Sequence, residues 1–121
     1  MLTSYIFTVV VLLCVPVLFA SFFLFDQLIM REYFDHRGQW ETDGKPHGVF
    51  WVPKESTLAN GLLVRLGSSV ASHRKSYVWL FATPAWMKRD QTALRLLFWL
   101  RALILGWHFA LVSAVLLVIF H

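Results

Sequence analysis

The sequence predicts an all-α membrane protein, with two transmembrane helices joined by a cytoplasmic loop that carries an amphipathic helix. Three observations predict it. All eleven Lys and Arg and all seven Asp and Glu lie between Asp26 and Arg101, so both ends of the chain are free of formal charge. The 121 residues are 58% hydrophobic and only 15% charged, whereas a soluble domain carries about a quarter charged residues. Within the charged middle, Leu58, Leu62, Leu66 and Val70 recur at helical spacing. This balance excludes a disordered chain and argues against an ordinary soluble enzyme. The lone Cys14 excludes a disulfide framework and a cysteine-based zinc site.

The first element, residues 1–25, is a transmembrane helix. Its charge-free run supplies the roughly 20 residues that cross a ~30 Å hydrocarbon core. No basic residue precedes it, and Phe22, Phe23, Leu24 and Phe25 follow Ala20-Ser21. The segment is therefore expected to be retained rather than cleaved as a signal peptide. Pro16 removes a backbone hydrogen bond near Leu12 and predicts a kink.

Residues 26–89 form the loop. Gly38, Asp43-Gly44-Lys45-Pro46 and Gly48 have the punctuation of turns. Trp40 and Trp51, with Tyr33, Phe34 and Phe50, predict compact irregular structure at the headgroup level or on a partner. An amphipathic helix at about residues 56–75 follows, with Arg74 and Lys75 in a basic cluster suited to an anionic leaflet. Trp79 and Trp86 belong to an apolar stretch broken by Pro84, too short to span and expected to be interfacial or covered by another protein.

Residues 90–121 make the last helix, which Asp90 caps, with the second span at about 102–120. Ala102, Gly106, Ala110 and Ala114 recur every four residues, joined by Ser113, and predict a helix-packing face. His108 lies about 200° around the helix from Gly106, on the side of Arg101. Ionisable groups in a bilayer face protein or water. Arg101 and His108 are therefore expected to meet an intramembrane partner, either another integral subunit or a second copy of this chain. Ten basic residues between the spans and one at the edge put the loop in the cytoplasm and both termini outside.

Enzyme signatures are missing: the sequence has no Gly-rich phosphate loop, H-E-x-x-H or G-x-S-x-G. Asp35-His36 and His47 have no recognised metal-ligand spacing, and a net charge of +4 is too weak a footprint for nucleic acid. The sequence implies no cofactor. His108 as a haem ligand is the alternative, since imidazole is a common axial ligand.

The layout, the Arg-bearing start of the last helix (RDQTALRLLFWLRALIL, with Arg95 and Arg101) and the terminal Ile119-Phe120-His121 resemble the universal stress protein B family of small bacterial membrane proteins. The FWVP and ATPAW segments have no clear match in that pattern. The resemblance implies an inner-membrane, stress-linked bacterial protein without known catalytic residues. Taken together, the sequence predicts a non-catalytic accessory or assembly subunit of a larger inner-membrane complex, with a respiratory or photosynthetic host plausible. The alternatives are a free-standing stress-linked membrane protein and a haem-binding small subunit. Membrane lipid and other integral subunits, or a second copy, are the expected partners.

Overall fold

The computed structural model describes residues 1–54, 74 and 77–121. The expected amphipathic helix at about 56–75, and Lys75 with it, lies outside the described residues. Among those described there is no β-strand. Among the described residues the fold is carried by α1 (Leu2–Asp35), α2 (Arg37–Thr42), α3 (Ala85–Lys88) and α4 (Gln91–Phe120). Residues 77–81 are also helical.

At 1.5 Å per residue, α1 with 34 residues is about 51 Å long and α4 with 30 residues about 45 Å. Both exceed the hydrocarbon thickness of a bilayer. They are long and apolar enough to cross a membrane, and only 6% and 11% of their most apolar stretches are buried. A core helix of a soluble protein would have that surface covered. Here Leu12, Leu13, Phe19, Leu105, Phe109 and Val112 are all exposed.

α1 and α4 pack as an antiparallel pair. Arg31, near the end of α1, meets Asp90 at the start of α4, while Val10 and Ala110 line one groove further along. α1 runs unbroken through Pro16. Within it, the Thr8 hydroxyl donates to the Ser4 carbonyl and Ser21 to that of Val17, each at 2.9 Å. These bonds satisfy the hydroxyls on an otherwise apolar helix without any outside group.

Burial is concentrated where the two helices become polar. Phe25, Leu28 and Ile29 of α1 pack with Ala93, Leu97, Leu100 and Ile104 of α4 around Trp79, Trp86 and Met87. Dense packing at one end therefore holds a hairpin whose other end is largely uncovered.

Local chemistry closes the loop after α2. Gly44, at φ +90°, and Lys45, at φ 55°, take the left-handed conformation that ends a helix. The Lys45 N–H donates to the Trp40 carbonyl and the Gly44 N–H to that of Glu41, the paired bonds of a Schellman cap. The Trp40 indole N–H then donates to the Pro46 carbonyl at 2.8 Å. Asp90 caps α4, its Oδ1 accepting from the Thr92 and Ala93 amides at 3.2 Å.

Candidate functional site

Three polar clusters and one apolar groove are built on this hairpin. The first lies at Asp26, the first charged residue after the apolar run of α1. Its carboxylate is buried and accepts three backbone amides from the returning loop: Val49 at 2.6 Å, Phe50 at 2.8 Å and Trp51 at 3.0 Å. Gly48 donates its own N–H to the Trp51 carbonyl at 2.9 Å. A Cβ at Gly48 would overlap the Asp26 carboxylate, so any larger residue there has to displace that carboxylate. The clasp brings Phe50 onto Phe19, with rings 6.3 Å apart and 14° from parallel.

The second cluster centres on Asp90. Beyond its capping role, its Oδ2 accepts from Arg31 Nε at 2.6 Å and lies 3.2 Å from His36 Nε2. The Arg31 guanidinium holds the Asp90 carboxyl well below the usual carboxylate range, at about 2. Burial opposes that shift, and His36 and the Ala93 amide add to it. An ionised carboxylate only accepts, so His36 Nε2 carries the proton of that contact. Arg31 also lies 3.6 Å from Asp35. α1, α2 and α4 are thus tied at one point.

The third cluster surrounds Arg101 and His108, the two residues expected to face a partner. Both find acceptors or donors in residues 77–83 of the same chain. Arg101 Nε donates to the Trp79 carbonyl and Nη2 to the Thr83 hydroxyl, both at 2.9 Å. His108 Nδ1 is 2.7 Å from the Ile104 carbonyl and so donates, which leaves Nε2 to accept from the Tyr77 hydroxyl at 3.2 Å. The Trp107 ring lies 3.8 Å from the imidazole. The stretch expected to be interfacial or covered by another protein folds back and covers this face of α4. Both imidazole nitrogens are engaged, so axial ligation of iron requires Nε2 to exchange Tyr77 for the metal.

The small residues of α4 fall differently. Ala102, Gly106 and Ala110 line a groove of about 280 Å³ between the long helices, with Val10, Leu13, Cys14 and Val17 opposite. Nothing lies within 4 Å of where a Gly106 Cβ would stand. Ala114 is buried further along and Ser113 is exposed. The two helices therefore do not close on each other at Gly106.

The residues expected at the interface divide into two groups. Trp40, Trp79 and Trp86 lie in the protein interior, with 0%, 3% and 7% of their surface exposed. Their large apolar area is met by the hairpin itself, which supplies a drier neighbour than a headgroup layer does. Trp51 is half-buried against Tyr33 and Phe34, and Arg74 is exposed. Among the described residues no three His, Cys, Asp or Glu side chains are grouped to hold a metal ion. Sequence reasoning missed Asp26, Gly48, Arg31, Tyr77 and Thr83. The isolated charge at the end of an apolar helix was the one available signal, and it pointed to Asp26 alone.

These features define a small helical-hairpin protein with a packed polar end and an open apolar end. Comparison with protein-family models, with curated proteins and with solved structures finds no match for this chain.

Proposed function

We propose that this chain is a non-catalytic accessory or assembly subunit of a larger inner-membrane complex, spanning the bilayer twice with its loop in the cytoplasm. The observation that carries the reading is the groove between α1 and α4 at Gly106. In lipid, helices associate by close backbone approach, and small residues permit it. Ala102, Gly106 and Ala110 line one wall of this groove and are not filled by α1. Side chains from an apolar helix of another subunit would enter that opening. Basic residues confined to the segment between the two spans and its edge support the orientation.

A free-standing membrane protein, like the universal stress protein B family that the layout resembles, is the second reading. One observation favours it: Arg101 and His108 have their hydrogen bonds within the chain, so neither needs a partner for that purpose.

Native mass spectrometry of the tagged chain, extracted in mild detergent at its natural expression level, separates the two. Stoichiometric recovery with larger integral subunits, lost in Gly106→Leu, supports the accessory role. Recovery only at 14.1 kDa or its multiples overturns it in favour of the free-standing protein. Gly106→Leu adds its side chain into open space, so the fold itself is expected to survive.

A further inference from the structure

A second cavity lies at the polar end of the hairpin, away from the Gly106 groove and independent of the accessory reading. It has a volume of about 480 Å³, with Asp35, His36, Arg37 and Gln39 on one side and Trp86 and Arg89 on the other. Cavities of this size commonly hold a small ligand.

The charge on its walls is biased. Asp35 is the one acid there among the described residues, and Arg31 stands 3.6 Å from its carboxylate. Arg89 is exposed and has no ion-pair or hydrogen-bond partner among the described residues. Arg37 is held in place from behind: its Nε donates to the Tyr33 carbonyl at 2.9 Å, and its guanidinium carbon sits 3.7 Å above the Tyr33 ring. A guanidinium fixed this way loses little freedom when it binds an anion. His36 spends Nε2 on Asp90, and its Nδ1 has no contact of that kind among the described residues.

The remaining wall is flat and aromatic. Trp86 lies 4.9 Å from the His36 ring. Its indole N–H is buried and has no acceptor among the described residues.

The geometry points to a binding site for a small phosphoryl-bearing anion, paired by Arg37 and Arg89 from opposite sides and backed by Trp86. Planar guanidinium forks match phosphoryl oxygens two at a time, and two such groups suit a dianion better than a single carboxylate. The anion has two sources, a soluble phosphorylated molecule or a lipid headgroup. Roughly 16 Å of helix separates Phe25, the last residue of the charge-free run, from His36. The headgroup layer is only about 5–8 Å deep per leaflet, so the position favours the soluble source.

The test uses the full chain in phosphatidylcholine nanodiscs. Inorganic pyrophosphate is titrated calorimetrically at constant ionic strength, beside native mass spectrometry of lipid retention in nanodiscs containing phosphatidic acid. Saturable pyrophosphate binding, weakened about tenfold or more by Arg89→Gln and unchanged by Lys88→Gln, supports the soluble anion. Lys88 is the neighbouring exposed cation and does not line the cavity. Retained phosphatidic acid that is lost in Arg89→Gln, without pyrophosphate binding, assigns the same site to a headgroup. Absence of both, or equal behaviour of wild type and Arg89→Gln, overturns the proposal. Lys88 and Arg89 are both exposed, so circular dichroism of each variant is expected to match wild type. Neither result bears on the Gly106 groove.

Discussion

Replacing Asp26 by Asn tests the clasp that holds the loop onto α1. The carboxylate accepts three amides with two oxygens: Val49 through Oδ1, and Phe50 and Trp51 through Oδ2. Asn offers one acceptor oxygen. Turned toward Phe50 and Trp51, it sets its own NH₂ against the Val49 N–H. One charge-assisted bond is then lost, worth roughly 1.5–3 kcal/mol net, and the other two weaken to neutral bonds. The sum is about 3 kcal/mol. If the loop opens locally, exchange of the 49–51 amides accelerates about a hundredfold. Hydrogen exchange of the detergent-solubilised protein reads this directly, with core amides such as that of Leu97 as the internal reference. Gly48→Ala is the companion, because its methyl displaces the carboxylate while leaving the charge in place. Both variants are expected to free the same three amides. Protection at 49–51 within twofold of wild type in Asp26→Asn would refute the reasoning.

Two further outcomes follow from the other clusters. The folded-state pKa of Asp90 is lowered from 3.8 to about 2, so its stabilisation is complete above about pH 4 and is lost as pH falls through about 2. Asp90→Asn should therefore cost about 2 kcal/mol at neutral pH and flatten the fall of melting temperature between those limits; an unchanged acid limb excludes the Arg31–Asp90 tie as its cause. Tyr77→Phe removes the donor to His108 Nε2 and should destabilise by about 1 kcal/mol. In a thermal-melting double-mutant cycle with His108→Phe the two losses should overlap, and strictly additive losses would mean that the pair is not coupled.

Much of the frame was legible in the sequence. The charge-free runs mark α1 and α4 because spanning length is a property of consecutive residues. Asp90 reads as a helix cap, and Asp43-Gly44-Lys45-Pro46 as a turn, because both use chemistry within a few residues of themselves. The polar clusters were not legible. His108 and Arg101 read as side chains in need of a partner, since nothing in their own helix meets them fully; residues 77–83, which do, look in one dimension like a short interfacial stretch. The cover of Trp40, Trp79 and Trp86 was not legible for the same reason. Aromatic composition announces that a large apolar surface must be covered, without naming the cover.

By itself the sequence determined which segments are apolar over membrane-spanning length, where the charges are confined, and how the helices near Asp90 and Gly44 begin and end. Each of these depends on neighbours along the chain. Only the tertiary structure decided that Asp26 holds amides 23 to 25 residues away, that Arg31 meets Asp90 across 59, and that Arg101 reaches Thr83 across 18. It also decided that the long helices pack tightly at their polar ends and leave a groove at Gly106. Such contacts depend on how two helices lie against each other. That arrangement is set by the packing of Phe25, Leu28, Leu97 and Leu100 in three dimensions, which no periodicity along one helix encodes.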